Sequence, residues 1–208
     1  NSMEPGKPKR GESMRFVGID PSTKTGFVAL DLTGNVLRAK ELTGIGSVDP
    51  KRMRTLIHEV KEHVQADDFI CIEGFGFASQ QAVQNGGIGW GIRMMLDSRG
   101  MKYYEPAPNQ VKKFVAVSSW VGEIGNKRML KDKEKKEAMK DAVKRIYGYE
   151  HSSHNVIDAY VLAQIARFLY IVQNSGVWQD MNIPSYQAEV LQSILFPPEK
   201  KKHKKFAT

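Results

Sequence analysis

Two short apolar runs in this chain each end in a carboxylate and then break. Phe16-Val17-Gly18-Ile19-Asp20 runs into Pro21, and Phe69-Ile70-Cys71-Ile72-Glu73 runs into Gly74. Apolar runs of this length, closed by turn-forming residues, read as buried strands. Between them, Met53, Leu56, Ile57, Val60 and Val64 share one face of a helix spanning residues 50–64. A strand, a crossover helix and a second strand pair in parallel. Adjacent parallel strands of this design bring Asp20 and Glu73 out at the same sheet edge.

The remaining pattern extends that unit. Residues 26–32 and 35–42 read as two further strands joined by a turn at Thr33-Gly34, so the chain opens as a three-stranded meander. A helix over 80–98, interrupted by glycines, precedes a short strand over 101–104. A short helix from Asn109 to Val115 follows Pro106 and Pro108. Residues 118–126 read as a Gly-containing loop, 127–147 as a charged helix, and 155–173 as a helix apolar almost all round and hence buried. A last short helix is expected over 186–195. The order βββαβαβ followed by helices is that of an α/β fold, an RNase H-like mixed five-stranded sheet with helices on both faces.

The most apolar helix also holds a carboxylate, Asp158, inside Val156-Ile157-Asp158-Ala159-Tyr160-Val161-Leu162-Ala163. A buried carboxylate without a partner costs several kcal/mol or takes up a proton. No cation lies one turn away on this helix. Clustered hard oxygen ligands suit Mg²⁺ or Mn²⁺. Two such ions about 3.5–4 Å apart can clamp a phosphodiester, one activating water and the other stabilising the leaving 3′ oxygen. Taken singly, Asp20 could be a turn residue, Glu73 a surface strand end, and Asp158 the partner of a core cation. Their joint occurrence on these elements favours a shared metal site.

Composition narrows the class. The 208 residues suit one domain with tails: a leader or tag remnant over 1–14, a catalytic domain over 15–173, and an extension over 174–208. Met14 reads as an alternative start to Met3. Cys71 is the only cysteine, so neither a disulfide framework nor a cysteine-rich zinc site can form within the chain. His151 and His154 make a lone His-x-x-His, which is not a zinc site either. No run reads as long and apolar enough to span a membrane, and no secretory signal opens the chain. A reducing intracellular setting, the cytoplasm, is expected.

The net charge of +8 favours a polyanionic partner. Between Lys127 and Arg145, nine basic residues face four acidic ones, an excess of +5. Lys127, Arg128, Lys131, Lys135 and Lys136, with Lys112 and Lys113, are candidate phosphate contacts, the alternative being a solvated helix face. Lys200, Lys201, Lys202, Lys204 and Lys205 form either a solubility tail or a phosphate-contacting arm. Phe75 and Phe77, between glycines beside Glu73, could stack on bases or pack inside. The Gly86-Gly87 and Gly89–Gly91 stretch lacks the lysine and hydroxyl of a phosphate-binding loop, so no nucleotide cofactor is expected. Its small residues would allow close helix packing, including across a dimer interface.

Gly18-Ile19-Asp20-Pro21-Ser22 with Thr25-Gly26 resembles the opening motif of RuvC-type Holliday junction resolvases. Ile72-Glu73 resembles their second acidic motif, Gln110-Val111-Lys112-Lys113 the segment after the last strand, and Asp158-Ala159-Tyr160-Val161-Leu162-Ala163 their closing helix. The resemblance runs from about Arg15 to Val172. It implies a dimeric, Mg²⁺-dependent endonuclease that nicks opposing strands of a four-way junction and leaves 5′-phosphates. Asp20, Glu73 and Asp158 would be catalytic metal ligands, and Phe75 or Phe77 would enter the junction. The family adds a fourth ligand one turn before the last aspartate. No acid stands there; His154 is favoured, Asn155 is the alternative, and either could instead cap the helix. Other readings are an RNase H-like nuclease for other branched or hybrid substrates, and a non-catalytic branched-DNA binding protein.

Overall fold

β1 (Phe16–Asp20) is buried along its whole length, and its alternate residues serve two different cores. Phe16 points to one and Val17 and Ile19 to the other. β2 (Thr25–Leu30) and β4 (Phe69–Ile72) flank it and divide in the same way: Val28, Leu30 and Cys71 face the first core, Phe27, Ala29, Ile70 and Ile72 the second. The computed structural model describes residues 14–76, 81–175 and 183–198. The leader, Phe77 and the lysine tail lie outside the described residues.

With β3 (Val36–Leu42) and β5 (Tyr103–Tyr104), these strands form a five-stranded sheet in the order β3-β2-β1-β4-β5. The β1–β2 and β2–β3 pairs are antiparallel; β1–β4 and β4–β5 are parallel. The expected mixed sheet is therefore present. A forked ion pair from Arg15 to Asp68, at 2.8 and 2.7 Å, fastens the start of β1 to the turn before β4.

Helices cover both faces. α1 (Lys51–His63) and α2 (Ala82–Ser98) pack on the second core. The glycines do not interrupt α2. A Cβ at Gly91 would overlap the Ile57 side chain, and one at Gly87 would crowd Met53 at 2.9 Å, so these small residues let α1 approach within the same chain.

The other face carries α3 (Pro108–Phe114), α4 (Asp132–Tyr147), α5 (His154–Ser175) and α6 (Ser185–Leu195). α5 is the spine. By length and composition it would be able to cross a membrane, which corrects the expectation that no run qualifies. Its apolar surface is instead that of a core helix, covered by the sheet on one side and by α3, α4 and α6 on the other.

The segment before α4 also departs from expectation. Trp120–Val121 (β6) and Arg128–Met129 (β7) form an antiparallel hairpin where a loop running into a helix is predicted. Gly122 and Gly125, at φ 112° and 93°, provide the left-handed backbone of its turn. α4 starts only at Asp132, where Glu134 accepts a hydrogen bond from the Lys131 N–H at 2.7 Å. The helix therefore starts past Lys127, Arg128 and Lys131.

Candidate active site

The parallel register sets Ile19 against Ile72, and the Glu73 N–H donates to the Ile19 carbonyl at 3.0 Å. The ladder therefore continues one residue past β4 and leaves Asp20 and Glu73 side by side. Two glycines bring α5 onto them. A Cβ at Gly18 would overlap the Ala159 carbonyl, and one at Gly26 would overlap the Asn155 carbonyl. The α5 backbone rests directly on β1 and β2 at these points. Asp158, beside Ala159, consequently reaches the end of the sheet where Asp20 and Glu73 emerge.

All three carboxylates line one cleft of about 680 Å³, together with His154, Asn155, Lys112, Lys135 and Lys136. Burial is the main reason each carboxyl holds its proton above the usual range. Asp20 is raised well above it by burial and then by Glu73. Glu73 is pushed up to about 7 by burial and Asp158, and Asp158 to about 8 by burial and Asp20. Asp20 and Glu73 also interact through a side-chain hydrogen bond. The positive charges of Lys112 and Lys136 act in the opposite sense: Lys112 lowers Glu73 and Asp158, and Lys136 lowers Asp20 and Asp158. No described cation forms an ion pair with any of the three.

Ser153, rather than His154 or Asn155, caps α5: its Oγ accepts from the Val156 N–H at 3.3 Å. Asn155 Nδ2 donates to Glu41 Oε2 at 3.4 Å, and Ser153 Oγ donates to the same oxygen. His154 Nδ1 is buried without a hydrogen-bond partner. Burial and then Lys140 push its pKa down, which favours the neutral ring. The other ring nitrogen, Nε2, lies 3.8 Å from Glu137 Oε1.

Among the described residues, no three His, Cys, Asp or Glu side chains are grouped closely enough to hold a metal ion as they stand. The donor chemistry nevertheless suits a hard divalent cation: three carboxyl groups, whose pKa values burial and mutual repulsion raise, line one cleft with His154.

The basic candidates divide. Lys112, Lys135 and Lys136 line the cleft, whereas Lys113, Lys127, Arg128 and Lys131 do not. Lys113 pairs with Glu189 of α6 at 2.6 Å, and Arg128 pairs with Glu134 at 2.8 Å. Phe75 lies at the cleft against Trp90, with ring centroids 5.2 Å apart, and under the Arg93 guanidinium at 4.2 Å. Gly89 leaves room for its ring. Phe75 is thus packed while still facing the cleft.

Arg93, Glu105, Glu41 and Asn85 are not picked out by the sequence reading. Arg93 is the one cation of α2. It is 2% exposed, pairs with Glu105 at 2.6 Å and donates to the Gly89 and Glu73 carbonyls. Asn85 also lines the cleft, with a buried Oδ1 that no described group satisfies. Nothing in the sequence singles out Asn85 or Glu41.

No protein-family model matches this sequence, and no curated protein matches it. Solved structures do. A Thermus thermophilus RuvC structure is similar with a TM-score of 0.55 at 17% identity, over 76% of this chain and 95% of that one. T. thermophilus RuvC in complex with Holliday junction substrate gives a TM-score of 0.51 at 15% identity, over 77% and 96%. The shared property at this identity is the fold.

Proposed function

We propose that this protein is a divalent-metal-dependent endonuclease acting on branched DNA, a four-way junction being its substrate. The carrying observation is the convergence of Asp20 at the end of β1, Glu73 just past β4 and Asp158 of α5 on one cleft that Lys112 and Lys136 also line, each carboxyl with its pKa raised by burial. The fold shared with RuvC, one structure of which holds a Holliday junction, supports the choice of substrate.

Asp20, Glu73 and Asp158 would hold Mg²⁺ or Mn²⁺, two ions in the full site, with His154 as the fourth ligand. Ions there would supply the positive charge that activates water and steadies the leaving 3′ oxygen. The chain's own part is positional. Lys112, Lys135 and Lys136 hold the phosphates flanking the scissile bond. Phe75, backed by Arg93 and Trp90, forms one wall against which a base can rest. The products would carry 5′-phosphates and 3′-hydroxyls.

Two symmetric nicks require two sites on one axis, and a two-fold dimer supplies them.

Incubation with a synthetic four-way junction and a matched duplex, in Mg²⁺ or in EDTA, beside Asp20→Asn, tests the reading. Paired nicks in the junction alone, abolished by EDTA and by the substitution, are expected. Junction binding without cleavage under Mg²⁺ and Mn²⁺ would instead identify a non-catalytic branched-DNA binder.

A further inference from the structure

The β6–β7 hairpin buries none of its strand residues. Trp120, Val121, Arg128 and Met129 are all exposed, so both faces of the ribbon look out to solvent. Trp120 and Met129 are cross-strand partners and form an apolar pair on one face. Ile124, in the turn between the strands, is 96% exposed. An isolated two-stranded ribbon is marginal in water, and apolar groups presented on both sides and at the tip are the mark of a surface that meets a partner.

The charge around the ribbon states the partner's chemistry. Lys127 and Lys131 flank β7 and pair with no described acid, while Arg128 is held by Glu134. β7 leads within three residues into α4, whose Lys135 and Lys136 line the cleft. A basic rim around an apolar tip, continuous with a lysine-lined cleft, suits a polyanion that also offers flat apolar faces. Nucleic acid with unstacked bases meets both requirements; apolar side chains wedge into such steps while cations hold the flanking phosphates.

We infer that the β6–β7 hairpin is a second DNA-contacting element, in which Trp120 and Ile124 engage unstacked bases at the branch point while Lys127 and Lys131 grip the adjoining backbone. This inference rests on the branched-DNA reading and adds to it an element that selects branched over linear DNA. Fully stacked duplex presents no open base face, so the apolar contribution is confined to branched substrates.

The test compares wild type with Trp120→Ala/Ile124→Ser and with Lys127→Ala/Lys131→Ala. Binding in EDTA is measured to a four-way junction carrying 2-aminopurine at the crossover and to a matched linear duplex. The apolar pair of substitutions should weaken junction binding about tenfold. It should leave duplex binding and the salt dependence unchanged and abolish the 2-aminopurine response. The lysine pair should weaken binding to both DNAs and flatten the salt dependence. All four side chains are exposed, so unchanged thermal midpoints will confirm the fold. If wild type prefers the junction and Trp120→Ala/Ile124→Ser prefers it equally, the hairpin inference falls while the branched-DNA reading stands. If wild type does not distinguish junction from duplex, both fall. Loss of a wild-type dimer in Trp120→Ala/Ile124→Ser by sedimentation would assign the ribbon to a second copy and overturn the inference.

Discussion

Arg93 Nη2 donates to the main-chain carbonyl of Glu73 at 3.0 Å while its guanidinium covers the Phe75 ring at 4.2 Å. One buried side chain thus fixes the residue carrying a candidate ligand and the aromatic wall beside it. Its Nε holds Glu105 at 2.6 Å, so the fork spans α2, the end of β4 and the segment after β5. Lysine, a single ammonium on a flexible stem, cannot reproduce those contacts. Arg93→Lys should lower stability by about 1–3 kcal/mol. It should also reduce turnover on a junction more than it reduces junction binding, because Glu73 is displaced relative to Asp20. Single-turnover rates and binding curves check this; equal losses in both would make Arg93 a packing residue only.

The carboxylate cluster gives the metal-free protein an inverted pH response. Glu73 and Asp158 have folded pKa values of about 7 and about 8, above those of the unfolded chain. Below about pH 4 both states are protonated and the groups cost nothing. As pH rises toward about 8 the unfolded chain ionises first, so stability falls across that window. Asp158→Asn removes part of the penalty and should be more stable than wild type at pH 8 in EDTA by about 1 kcal/mol or more. Mg²⁺ should raise the wild-type midpoint most at high pH, where the ligands are deprotonated, and Asp158→Asn little. Thermal melts from pH 5 to 8 decide it; wild type more stable than Asp158→Asn at pH 8 in EDTA would contradict the unpaired cluster.

Contact between α5 and the sheet depends on a missing methyl. A Cβ at Gly18 would meet the Ala159 carbonyl and the Ala163 backbone, neither of which can move without lifting the helix. Gly18→Ala should destabilise by about 3 kcal/mol or more, as an overpacked core does, and should draw Asp158 away from Asp20. Gly86, in α2, meets nothing within 4 Å. Gly86→Ala should stabilise by about 0.5–1 kcal/mol through helix propensity. Denaturant midpoints for the two variants should therefore move in opposite directions.

The strand-end carboxylates were legible because a short apolar run that ends in a carboxylate and then meets a breaker reads as a buried strand. The parallel crossover then fixes their register. Asp158 was legible as a charge with no local partner in the most apolar helix. The hairpin was not: each strand has two residues, below any periodicity, and the helix start depends on Glu134 capping the Lys131 N–H. Arg93 escaped because two of its acceptors, Glu73 and Glu105, come from other elements that only the fold brings to it. The split between Lys112 and Lys113 has the same origin, since Glu189, the partner that holds Lys113, lies 76 residues away.

That split makes a sharp prediction. Lys112 and Lys136 line the cleft from α3 and α4, and both lower the Asp158 pKa. Each should contact a phosphate, so Lys112→Ala and Lys136→Ala should each weaken DNA binding and reduce the slope of log affinity against log salt by about 1. Each substitution also withdraws positive charge from the carboxylates, which raises their pKa values further. The acidic limb of the pH–rate profile should then shift to higher pH in both variants. Lys113→Ala frees Glu189 outside the cleft and should leave that limb in place, with at most a small change in salt slope. Lys61→Ala, on α1 at the opposite end of β1, should alter neither measurement. A pH limb that shifts equally in Lys113→Ala and Lys112→Ala would show that general surface charge, not proximity to the carboxylates, governs the profile.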